Sequence, residues 1–163
     1  MGLDMYLIRK RKNIKEAIEN YDWYPDDEIA YWRKANQIHK WFVDNIQDGN
    51  DDCGYYEVKK EDLQELVDIC NRIIRETKLI DGKVLSREYY ENGEHIKEYE
   101  IGKVIDNQKL CEELLPSQSG FFFGGTDYDE WYFNDIEYTK NRLEAIIQLL
   151  EWDLYDVYYG SSW

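Results

Sequence analysis

The strongest folding signal in the chain is a stripe of apolar side chains that recurs every three or four residues between positions 61 and 79. This spacing places the stripe on one face of an α-helix, and that face needs another apolar surface to bury it. The stripe consists of Leu63, Leu66, Val67, Cys70, Ile73 and Ile74. A fold that contains this helix must therefore include a second apolar layer.

Alternating segments elsewhere predict the strands of such a layer. Residues 83–101 form two alternating runs around Asn92-Gly93, the dipeptide most typical of a two-residue hairpin turn, and we expect a charged β-hairpin that protrudes from the body. Alternation also predicts a strand in "LDMYLI" near the N-terminus and another in "YDVYYG" near the C-terminus. Short strands are expected in "YYEV" and in "SGFFFGG".

Helical spacing recurs at about 28–47, where Trp32, Ala35 and Phe42 fall on one side, and at about 129–150. Shorter helices are expected at 13–21 and in "NQKLCEELLP". The 163 residues fit one domain of ordinary size. We therefore predict a single α+β domain over residues 1–163, with three long helices packed on a small antiparallel sheet and the 83–101 hairpin as an insertion.

The formal charge of −15 is concentrated near the C-terminus. Residues 111–163 hold two basic side chains, Lys140 and Arg142, against eleven carboxylates. Such a field repels nucleic acids and attracts basic protein surfaces, so we expect no direct nucleic-acid binding. No apolar run approaches the roughly 18–20 residues that a membrane span requires, and a cytoplasmic protein without membrane contact is expected.

The chain lacks the residue patterns that hold cofactors, metal ions or disulfides. Cys53, Cys70 and Cys111 are isolated, with no paired cysteine or nearby histidine. Neither the phosphate-loop pattern nor the glycine spacing of dinucleotide-binding folds is present. We expect neither a cofactor nor a bound metal.

One polar cluster stands between two tryptophans in "AYWRKANQIHKWF", residues 30–42. On a helix, Arg33, Gln37 and Lys40 share a face that could bind a phosphate or a carboxylate, with the glycine-rich segment 117–125 completing a pocket. The alternative is that these groups pair with carboxylates of the chain itself and that the histidine is a buried, hydrogen-bonded imidazole. The candidate ligand-binding residues are Arg33, Asn36, Gln37, His39, Lys40, Trp41 and Gln118.

A second cluster is the acidic and aromatic run at 127–138. Carboxylates on a rigid helix face can imitate a phosphate backbone, and tryptophan and tyrosine among them can anchor an interface. A solvated helix face, or acids that cap the start of the helix, explains the same pattern. The candidate partner-binding residues are Asp127, Asp129, Glu130, Trp131, Asp135 and Glu137.

Five stretches of the sequence carry a resemblance to a known family. They are "MGLDMYL", "YWRKANQIHKWF", "DDCG", "LLPSQSGFFFGGTDYDEWY" and "YGSSW", which together cover about half of the chain. They are similar to small proteins carried by bacteriophages and prophages of Gram-positive hosts. The resemblance implies a phage accessory gene, a setting in which small acidic proteins often counter host defences, and it carries over no functional residue.

These observations favour binding over catalysis. We expect an acidic phage protein that binds and inhibits a host nucleic-acid-binding defence protein, such as a CRISPR effector, with nucleic-acid mimicry as its mechanism. One alternative is a protein that sequesters a small anionic nucleotide signal, and another is an enzyme that uses His39 together with Arg33 and Gln118. The sequence leaves open whether the chain forms a homodimer.

Overall fold

The structure is a computed structural model that describes residues 2–13 and 27–163. Within these residues the protein is α+β, with four helices and six strands in two antiparallel sheets. Residues 14–21 of the short helix expected at 13–21 lie outside the described residues.

The larger sheet has four strands in the order β2-β1-β6-β3, and the smaller one consists of β4 and β5. The chain therefore brings its two ends together, because β1 pairs with the C-terminal strand β6 along its whole length. The strands are β1 (Asp4–Arg11), β2 (Asp27–Arg33), β3 (Tyr56–Val58), β4 (Leu79–Glu91), β5 (Glu94–Ile105) and β6 (Tyr155–Ser162).

Two helices begin and end within three residues of the positions expected at 61–79 and 129–150. The first helix buries its predicted stripe except for the partly buried Ile74. The second buries Ile136, Leu143 and Ile146, but Trp131, which its spacing also placed toward the core, is exposed; the two helices pack against each other. The helices are α1 (Asn36–Asn45), α2 (Lys60–Glu76), α3 (Gln108–Leu114) and α4 (Glu130–Leu149).

The prediction of one long helix over 28–47 is wrong in its first half, where residues 27–33 form strand β2. Ala30 and Trp32 point into the core while Tyr31 and Arg33 point outward, which is the alternation of a strand. Pairing with β1 decides the conformation, and Lys34, with a φ of 59°, turns the chain before α1 begins. The spacing of the buried residues after this turn is that of a helix.

The prediction of a short strand in "SGFFFGG" is also wrong, because residues 119–126 form turns and irregular structure. Phe123 is buried, whereas Phe121 is 95% exposed. Gly124 has a φ of 84°, a left-handed conformation that favours glycine.

The core is one connected cluster of apolar side chains from the four-stranded sheet and all four helices. Its centre includes Phe42 of α1, stacked on Tyr159 of β6 with ring centroids 4.0 Å apart. Trp32 of β2 donates a hydrogen bond from its indole Nε1 to Thr139 Oγ1 of α4, at 2.9 Å. This contact fixes the end of β2 against α4, where the candidate site lies.

Strands β4 and β5 form a hairpin that is four residues longer at each end than the expected 83–101. Asn92 and Gly93 both have positive φ, 50° and 84°, as a type I′ turn requires. Most side chains of the hairpin are exposed or partly exposed. Ile105, at the base of the hairpin, is buried.

Candidate functional site

The two candidate clusters meet at one cavity of about 270 Å³, which we call the α4 cavity. It opens between the end of β2, the glycine-rich segment 117–125 and the first turns of α4. The sequence candidates that line it are Arg33 and Gln37 from the first cluster and Asp127, Asp129, Trp131 and Asp135 from the second. Residues that sequence analysis assigned to separate ligands therefore share one site.

Asn36 at the start of α1 holds the glycine-rich segment in place. Its Nδ2 donates hydrogen bonds to the backbone oxygens of Phe123, at 3.0 Å, and Gly125, at 2.8 Å. Its Oδ1 accepts a hydrogen bond from the backbone N–H of Gln118 at 2.9 Å. Asn36 is 1% exposed and uses both ends of its amide in this way, so it positions the wall of the cavity.

Asp135 provides a half-buried carboxylate at the cavity. Burial raises the pKa of Asp135 to about 6, with a smaller opposing effect from the hydrogen bond of Gln37. That bond runs from Gln37 Nε2 to Asp135 Oδ2 at 3.3 Å, and it is the one side-chain hydrogen bond to this carboxylate among the described residues. Because a carboxylate can accept about four hydrogen bonds, Asp135 keeps accepting capacity toward a ligand.

Asp129 caps the N-terminus of α4, as the capping alternative expects. Its Oδ1 accepts hydrogen bonds from the backbone N–H groups of Trp131, at 3.0 Å, and Tyr132, at 3.1 Å. Burial raises the pKa of Asp129 above its ordinary value despite these bonds. Asp127, by contrast, is exposed at the edge of the cavity.

Two cations stand at the end of β2. Arg33 lies with its Nη1 3.3 Å from Asp4 Oδ1, and its side chain is 55% exposed. Lys34 lines the cavity and forms no ion pair with any described residue. Its aliphatic stem packs on Gly124, where an added Cβ would lie 3.1 Å from Lys34 Cβ. Lys34 belongs to the polar cluster in residues 30–42, but it was not among the candidate ligand-binding residues.

The remaining members of the first cluster are not at the cavity. Lys40 pairs with Asp44 of the same helix, Nζ to Oδ2 at 2.7 Å. Trp41, a candidate ligand-binding residue, is 6% exposed and packs in the core, so it does not offer its ring to a ligand. Gln118 contacts Asn36 through its backbone N–H. The polar helix face predicted for Arg33, Gln37 and Lys40 is not solvent-exposed, since Asn36 and Gln37 are buried.

His39 is completely buried between two partners. Its Nδ1 lies 2.7 Å from the Tyr159 hydroxyl, and its Nε2 lies 3.0 Å from Asp51 Oδ2. Asp51 also accepts a hydrogen bond from Trp163 Nε1 at 3.0 Å. The alternative of a satisfied core imidazole therefore describes His39, which lies outside the α4 cavity.

Four candidates of the second cluster are exposed on or beside the first two turns of α4, and we call them the α4 surface: Asp127, Glu130, Trp131 and Glu137. Trp131 is 78% exposed. In the part of the chain that the structure describes, none of the three acids forms an ion pair. Asp127 and Trp131 also line the cavity, as do Asp129 and Asp135, so Glu130 and Glu137 are the two predicted residues that lie on the surface alone.

Within residues 2–13 and 27–163, no three acidic, histidine or cysteine side chains are arranged to hold a metal ion. The same residues include no helix with the length and apolar character of a membrane span. Comparison with protein-family models, with curated proteins and with solved structures finds no match to the chain. The fold and the site together define an α+β protein. Its cavity, lined by groups of both charges, lies beside an acidic surface that carries an exposed tryptophan.

Proposed function

We propose that this chain is a non-catalytic phage protein that acts in the cytoplasm of the bacterial host. There it binds and inhibits a nucleic-acid-binding defence protein, such as a CRISPR effector, by covering its basic surface with the α4 surface. The observation that carries the proposal is Trp131, a large aromatic side chain that is 78% exposed among acids that form no ion pair with any described residue.

Exposure of the apolar surface of a tryptophan to water is unfavourable, and its burial in an interface lowers the free energy. Burial of about 200 Å² of aromatic area favours association by at most about 5 kcal/mol at ~25 cal/mol per Å², before the costs of association are subtracted. Interfaces obtain most of their binding energy from such central aromatic anchors, with charged groups at the rim. Trp131 supplies the anchor, and Asp127, Glu130 and Glu137 supply the rim.

The charge distribution supports a basic partner. Eleven carboxylates against two basic groups in residues 111–163 produce a negative field that accelerates encounter with a positive surface. A surface that normally binds nucleic acid has that charge, since it neutralises phosphates. The proposed inhibitor therefore competes for the site that the nucleic acid uses.

The two alternatives draw less support from the geometry. An enzyme that uses His39 needs the imidazole to reach a substrate, but His39 is completely buried and bonded at both nitrogens. A nucleotide-binding pocket on α1 needs Trp41 and Lys40, of which one is in the core and the other is paired with Asp44.

Charge reversal on the α4 surface tests the proposal. The double variant Glu130→Lys, Glu137→Lys should weaken capture of the host partner by about 10-fold or more, because attraction becomes repulsion. The matched control is Glu91→Lys, Glu94→Lys, which makes the same change of net charge at the exposed tip of the hairpin. An equal loss in both variants contradicts the α4 surface as the interface, since only net charge would then matter.

A further inference from the structure

We propose that the α4 cavity is a socket for an arginine side chain of the partner, which would donate hydrogen bonds to Asp135 while its guanidinium packs against Trp131. This inference rests on the proposed function and names the group that the α4 surface recognises. It concerns the pocket behind the surface, where the partner would contribute one deeply placed side chain.

Two polar groups at the cavity keep unused hydrogen-bonding capacity. Asp135 accepts one side-chain hydrogen bond among the described residues, at the long distance of 3.3 Å. Ser117, which also lines the cavity, has a buried hydroxyl oxygen without a hydrogen-bond partner in the described part of the chain. The remaining accepting capacity of Asp135, and that of the unpartnered Ser117 hydroxyl, can be used by a ligand that donates hydrogen bonds.

The charges at the cavity favour a cation over an anion. Three carboxylates line it, those of Asp127, Asp129 and Asp135. Of the two cations at its edge, Arg33 is already partnered by Asp4, which leaves Lys34 as the compensating charge. A phosphate or carboxylate ligand would face this acidic lining, whereas a guanidinium would offset it.

Arginine fits the site better than lysine does. Its planar group presents five donors in a fork that matches carboxylates, and it stacks on aromatic faces such as that of Trp131. The volume of about 270 Å³ lies below the roughly 300–1,000 Å³ of pockets for drug-sized molecules, which suits one long side chain. The neighbouring exposed acids would meet basic groups that flank the arginine in the partner.

The test is a titration of the whole chain with N-acetyl-arginine methylamide. Binding is monitored by calorimetry and by the NMR shifts of the Trp131 indole. We expect saturable binding that Asp135→Asn weakens about tenfold or more and that Glu91→Gln, a neutralisation at the exposed tip of the β4–β5 hairpin, leaves unchanged. The corresponding lysine compound should bind more weakly. Trp131→Ala gives a second variant, because a side chain so exposed contributes little to folding.

Three results would overturn the socket. They are the absence of saturable binding, equal affinity of the wild type and Asp135→Asn, and tighter binding of adenosine monophosphate that Lys34→Ala abolishes. Capture of the host partner separates this inference from the proposed function. If Asp135→Asn captures the partner as well as the wild type does while the α4-surface reversal fails, the socket is wrong and the proposed function stands.

Discussion

Replacing Asp135 by asparagine should stabilise the protein at neutral pH and have little effect in acid. Burial raises the pKa of Asp135 from its ordinary value of 3.8 to about 6 in the folded protein. Between these values the folded state holds a proton that the unfolded state has released, so wild-type stability falls as pH rises through this window. Well below pH 3.8 both states are protonated and the cost disappears.

The magnitude follows from the difference between the two pKa values. A difference of about 2 corresponds to about 3 kcal/mol, fully expressed above pH 7. Asparagine is neutral at every pH and keeps an oxygen that can accept the Gln37 hydrogen bond. For a chain of this size, 3 kcal/mol corresponds to an increase in Tm of about 6–12 °C.

Urea unfolding of the wild type and Asp135→Asn at pH 4, 5, 6 and 7.5 measures this difference directly. The free energies of unfolding should be nearly equal at pH 4 and should diverge in favour of the variant by pH 7.5. Glu137→Gln, which removes one exposed carboxylate from the same helix, should differ from the wild type by less than about 0.5 kcal/mol throughout. A variant that becomes less stable than the wild type as pH rises would refute the reasoning, because Asp135 would then be stabilised as a carboxylate.

Two further predictions concern positions where the structure is most specific. His39→Ala should cost about 2–4 kcal/mol in urea unfolding, because it leaves the buried Tyr159 hydroxyl without its partner, whereas His95→Ala in the exposed hairpin should change little. Equal costs at the two histidines would contradict the buried network. Gly124→Ala should cost about 1–2 kcal/mol, because alanine is strained at a φ of 84°, while Gly125→Ala, which meets open space, serves as its control.

The elements that sequence analysis placed well are those with a complete local signal. Helix α2 has an uninterrupted apolar stripe, and the β4–β5 hairpin has Asn92-Gly93 at its turn. Strand β2 was missed because Trp32 and Ala35 also match a helical spacing. The alternation of Ala30 and Trp32 was too weak a local signal to predict the strand. The pairing with β1 determines its conformation, and that pairing connects distant parts of the chain.

Sequence analysis identified several residues of the candidate site but not their arrangement around one cavity. Arg33 and Asp135 were singled out for different ligands, yet β2 and α4 bring them to one cavity. No local pattern could show this, because the contact depends on Trp32 packing against Thr139 across more than a hundred residues. For His39 the sequence left a buried imidazole and a ligand-binding one as alternatives, and its burial follows from β6, which comes from the far end of the chain.

Competition with nucleic acid on the captured host partner tests the central claim most directly. The partner is held at a fixed concentration with labelled nucleic acid, and this protein is added at several salt concentrations. The proposed inhibition predicts that the nucleic acid is displaced completely, and that the displacing affinity falls steeply as salt increases. A partner that is saturated with this protein and still binds its nucleic acid with unchanged affinity would contradict the account.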